Sequence, residues 1–98
     1  MKLKADFITN SSSASFTILR SDLTPLQELM IIDHIEAATM LMQKDPSLDF
    51  GFISKSDAWS ISVGDEKIEG DCSMDNFYML ELLNQIGVAN EKIEYYHS

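Results

Sequence analysis

Residues 24–44 constrain the fold more than any other stretch of the chain. Thr24 is a good N-cap, Pro25 suits the first helical position, and Gln27 stands three residues after the cap, as a reciprocal capping pair requires. Glu28 adds a carboxylate near the positive end of the helix dipole. Leu26, Leu29, Met30, Ile31, Ile32, Ile35, Ala38, Met40, Leu41 and Met42 then form a band wider than one amphipathic stripe, with Asp33, Glu36 and Gln43 opposite. Pro46 disfavours helical geometry at Asp45, so the pattern predicts one long helix ending near Lys44. A helix apolar over so much of its circumference must be covered by a sheet or offered to a partner.

The flanking segments alternate with a period of two. Leu3, Ala5 and Phe7 alternate with Lys2, Lys4 and Asp6, and Phe16 and Ile18 flank Thr17, which predicts two strands and a hairpin over residues 1–20. The polar stretch Thr9 to Ser15 is its loop. Phe50 to Ile53, then Trp59, Ile61 and Val63, then Ile68, Gly70 and Cys72 read as a three-stranded meander turning at Gly64-Asp65. Ser73 or Asp75 caps a second helix with Met79, Leu82, Leu83 and Ile86 at helical spacing and Phe77 and Leu80 widening its face. Gly87 sits at the residue after its C-cap, with Val88 placed to touch Leu83. Ile93 and Tyr95 alternate with Glu94 and Tyr96 in a closing strand. The expectation is a single α+β domain over residues 1–98, an antiparallel sheet with two helices packed on one face, in the order ββαβββαβ. Trp59, Ile61, Phe52 and Ile18 should face Ile35, Leu41, Leu82 and Ile86.

Sixteen acidic residues against seven basic ones leave a net charge of -9. That balance disfavours direct nucleic-acid binding, which needs a basic face to displace counterions, and disfavours an anionic membrane surface. A partner with a basic surface is the better electrostatic match. No run of 18 apolar residues exists, and Met1 to Asp6 carries charge where an apolar leader would begin, so a cytoplasmic setting is expected. Cys72 is the only cysteine, which excludes an internal disulfide and a multi-cysteine zinc site.

Candidate chemistry is sparse. The positions one turn away from His34 are Met30, Ile31, Ala37 and Ala38, so no metal set forms around it and a surface or half-buried histidine is expected. Cys72 has no local group to lower its pKa and alternates onto the buried face with Ile68. Asp65, Glu66, Glu69, Asp71 and Asp75 cluster with only Lys67 to offset them. Counted as a calcium loop from Asp65, the third position is Lys67 and the twelfth Asn76, a poor match, so these five acids are read as a partner-docking patch. Thr9, Asn10, Ser11, Ser12 and Ser13 form a recognition or ligand loop, without the Gly-Lys-Ser/Thr ending of a phosphate-binding loop. No catalytic residues, metal ligands or cofactor are assigned, because no nucleophile, base and orienter can be named together.

The opening residues Met1-Lys2-Leu3-Lys4-Ala5-Asp6-Phe7-Ile8-Thr9-Asn10-Ser11-Ser12-Ser13 resemble a group of small bacteriophage and prophage proteins. Those begin with a Lys-rich strand, then Asp-Phe-Val/Ile-Thr-Asn-Ser-Ser-Ser, further serines and an aromatic. Ala14 interrupts the serine run, and Ser73-Met74-Asp75-Asn76-Phe77 resembles a segment that recurs in some of them. The resemblance covers under a quarter of the chain; it implies a phage or mobile-element setting and no activity. The expected function is a non-enzymatic phage-type interaction protein that binds and blocks a host protein, such as a defence component. The alternatives are a structural or accessory component of a virion or homo-oligomeric assembly, and a binder of small anions through the 9–15 loop.

Overall fold

The computed structural model describes residues 2–3 (as backbone), 13–74 and 76–97. Five strands form one sheet: β1 (Lys2–Leu3), β2 (Ala14–Leu19), β3 (Ser60–Val63), β4 (Lys67–Cys72) and β5 (Glu94–His97). Their order is β1-β5-β2-β4-β3. β5, β2, β4 and β3 are antiparallel neighbours, and the two-residue β1 pairs parallel with β5 at the edge. Three helices, α1 (Pro25–Ile32), α2 (His34–Lys44) and α3 (Met79–Gln85), complete an α+β fold.

One face of the sheet holds the core. Phe16 and Ile18 of β2 stand opposite Gly70 and Ile68 of β4, and Phe16, Ile18 and Ile68 are fully buried. A Cβ at Gly70 would collide with the Phe16 ring and Ile61, so glycine here is what lets the ring approach β4. Ile31, Phe50, Phe77, Met79, Leu82 and Leu83 close the core from the helical side. Burial of a side chain of this size contributes roughly 1.5–3 kcal/mol.

The local signals at the helix ends hold. Gln27 N–H donates to Thr24 Oγ1 at 3.1 Å and Thr24 N–H to Gln27 Oε1 at 2.8 Å, closing the capping box. Gln27 also donates to Ile86 O, tying the start of α1 to the end of α3. α3 ends with Gly87 at φ 95°, Val88 N–H on Leu83 O and Gly87 N–H on Asn84 O, a complete Schellman ending with Val88 buried.

Other expectations are corrected. The long helix is two helices that meet at Asp33. His34 is not a surface or half-buried residue: it is 3% exposed, with Nδ1 2.8 Å from Ile31 O and Nε2 accepting from Trp59 N–H at 2.9 Å. In a continuous helix the Ile31 carbonyl would serve Ile35; the imidazole takes it instead, and the helix turns there. Residues 1–20 do not make a hairpin, because β5 lies between β1 and β2; residues 4–12 lie outside the described residues. Residues 50–53 are not a sheet strand. Gly51, at φ 75°, makes one bridge to Phe77, while Tyr78 N–H bonds Phe50 O and Phe52 N–H bonds Asn76 O. Phe52 is therefore 65% exposed rather than in the core. α3 takes Tyr78 as its N-cap residue, with no side-chain cap, in place of Ser73 or Asp75.

The His34 contacts fix its tautomer: Nδ1 carries the proton and Nε2 accepts. Burial is the main influence and holds its pKa below the ordinary value, although Ile31 O and Asp33 oppose this. Between its folded pKa and the unfolded value near 6.5, the unfolded chain binds the extra proton, so stability rises with pH. We expect the contribution to be complete above that unfolded value and to fall as the pH drops below it. His34→Gln, which keeps an acceptor but does not titrate, should flatten the melting-temperature profile between pH 5 and 7 while costing about 1–3 kcal/mol. Thermal melts of both chains across that range check it.

Candidate functional site

The helices pack on the inner face, so among the described residues the outer face of the sheet is left to its own side chains. Strand register arranges them in rows. One row runs Glu94, Thr17, Glu69, Ser62 across β5, β2, β4 and β3; the next runs Tyr96, Ser15, Asp71, Ser60. Directly opposed residues on adjacent strands sit about 4.5–5.5 Å apart. Each carboxylate is therefore flanked by short hydroxyl side chains. Glu69, Asp71, Glu94, Ser60 and Ser62 are exposed. Lys67, opposite Leu19 in the third row, reaches Glu69 at 3.9 Å in an exposed pair that neutralises only part of the face.

Asp65 and Glu66 form the two-residue turn between β3 and β4, which Gly64 N–H closes on Lys67 O at 2.8 Å. Arg20 holds this turn from behind. Its guanidinium donates to Gly64 O at 2.9 Å and, in a fork, to both carboxylate oxygens of Glu28 at 3.0 Å, while its backbone N–H donates to Glu66 O. Hydrogen bonding to Arg20 keeps the Glu28 carboxyl below the usual carboxylate range. The tip thus stands on a fixed connection to α1.

Of the five acids expected to dock a partner, Asp65 and Glu66 lie at the tip, and Glu69 and Asp71 lie on the outer face of β4. Asp75 lies outside the described residues, as do Thr9, Asn10, Ser11 and Ser12. Ser13 is half-buried just before β2, and Ala14 and Ser15 belong to the strand rather than to a loop. The sequence reading missed Glu94 and Tyr96. Their alternation was visible, but nothing local says that β5 lies beside β2. Near the far end of the face a cleft of about 420 Å³ is lined by Thr17, Leu19, Asp22, Lys67, Glu91, Lys92 and Glu94, with Lys92 paired to Asp22 at 3.5 Å.

Among the described residues no group of three His, Cys, Asp or Glu side chains is placed to hold a metal ion. No described helix is long and apolar enough to cross a membrane. Comparison with protein-family models, curated proteins and solved structures finds no match to this chain.

Arg20→Gln should loosen the hairpin tip without unfolding the domain. Amide hydrogen exchange at Gly64 is expected to accelerate, while Ile18 and Ile68 in the sheet centre stay protected. Unchanged exchange at Gly64 would show that Arg20 does not brace the turn.

Proposed function

We propose that the chain is a non-enzymatic interaction protein that binds a basic surface of another protein through the acidic outer face of its sheet. The observation behind this reading is the register that sets Glu69, Asp71 and Glu94 on one exposed face, with Asp65 and Glu66 at its end. Complementary charge raises association rates and rejects like-charged partners. Carboxylates at strand spacing also resemble a row of phosphates, so a groove that binds nucleic acid is a fitting target. The phage-like opening residues make a host factor the natural bearer of such a groove, blocked inside the host cell. A non-enzymatic role is supported by His34, whose two ring nitrogens are already committed to Ile31 and Trp59 and not available as a base.

A second reading, a component of an assembly, rests on a different observation: Leu26, Leu29 and Ile32 on α1 are exposed. Binding of small anions through residues 9–15 gains no support from the described residues.

The test is capture from bacterial lysate with the wild-type chain and with Glu69→Lys/Asp71→Lys. A single host protein is expected, released by salt, and held at least about tenfold less well by the variant. A partner retained equally by the variant would overturn the acidic-face reading. Recovery only of the chain itself, with light scattering showing a defined assembly that Leu29→Lys dissolves, would favour the second.

A further inference from the structure

We propose that the outer edge of β3 takes an extended basic segment of the partner as an added strand; this rests on the acidic-face reading and specifies how that face is used. The closing bond from Gly64 to Lys67 makes these residues a hydrogen-bonded pair. Antiparallel alternation then turns the N–H and C=O groups of Ser62 and Ser60 toward β4 and those of Ile61 and Val63 away from it. β3 ends the strand order, so these outward groups face no other described strand. Edges are usually blunted by Pro, Lys, inward charge or a bulge. Ser60-Ile61-Ser62-Val63 is short, at four residues, but has none of these, and Val63 is 46% exposed.

Charge selects the occupant. An added strand would place its outer-face side chains beside Ser60 and Ser62, in the rows that continue to Asp71 and Glu69. Two strand spacings, roughly 9.5 Å, separate the newcomer from β4. Lys or Arg reaching from one side and a carboxylate from the other close that gap across the short serines. On the inner face, apolar side chains of the newcomer would cover Val63 and Ile61. The matching segment therefore alternates basic and apolar residues. A second copy of this chain would set serine and glycine beside Ser62 and Ser60, leave Glu69 and Asp71 without a counter-charge, and bring together two chains of -9 each.

The probe is a blocked heptapeptide alternating lysine and valine, titrated calorimetrically into the full chain at two salt concentrations. N-methylation of the peptide amides that would meet Ile61 and Val63 should weaken binding at least about tenfold, as should Glu69→Lys/Asp71→Lys. Val63→Pro, which removes an outward N–H and no bond to β4, should do the same; the N-methylated peptide asks the same question of the wild-type chain, so a misfolded variant cannot obscure the answer. Binding that ignores N-methylation but still needs Glu69 and Asp71 would overturn strand addition and leave the acidic face standing. Binding that ignores both, or none at millimolar peptide, would overturn the strand proposal, and indifference to charge would remove the acidic-face reading with it. Self-association abolished by Val63→Pro would assign the edge to a second copy and overturn the basic segment.

Discussion

The fold depends on a clasp made by one buried imidazole. His34 joins three segments: the end of α1 through Ile31 O, the start of α2 on its own backbone, and, 25 residues on, the approach to β3 through Trp59 N–H. Trp59 extends the connection, because its indole N–H donates to Phe77 O at the entrance to α3. The rings continue it, with His34 5.1 Å from Phe77, and Trp59 5.7 Å from Phe16. An imidazole suits this place because one neutral ring supplies a donor and an acceptor on opposite sides. Leaving either backbone group unpaired in the core would cost about 1–3 kcal/mol.

The clasp also decides what the outer face becomes. The bend at Asp33 lets α1 and α2 follow separate paths over the inner face, with Ile31, Ala37 and Ala38 buried against the core. Phe16 lying on Gly70 keeps the sheet close beneath them. With the apolar material gathered on that side, the serines, threonine and acids of β2, β3, β4 and β5 face outward by the pleat alone. The rigid core and the charged face are two results of one alternation.

Features governed by neighbouring residues were legible in the sequence. The Thr24–Gln27 capping box, the Gly87–Val88 ending and the Ile68–Gly70–Cys72 alternation each need only a few residues to specify them. Features governed by distant partners were not. The break at Asp33 requires Trp59, 25 residues from the imidazole that it engages. Phe50 to Ile53 carries a strand's composition, yet its backbone groups are taken by Asn76 and Tyr78. The placement of β5 between β1 and β2 is long-range, which is why Glu69 and Asp71 could be named from the sequence while Glu94 could not.

The strand order also explains why the two ends of the acidic face differ. Toward β5, Glu94 shares a cleft with Lys67 and Lys92, which are themselves tied to Glu69 and Asp22. Toward β3, Asp71 has only Ser60 and Ser15 beside it in its row, and Glu69 only the loose contact with Lys67. A face of uniform charge would attract a basic surface without orienting it. Here Asp71, with only serines beside it in its row, lies on the side where the sheet also has backbone groups to offer, so attraction and directional bonding converge on β3. Arg20 gives that side its fixed position, since it bonds the turn backbone and α1 together and leaves the Asp65 and Glu66 side chains exposed to solvent.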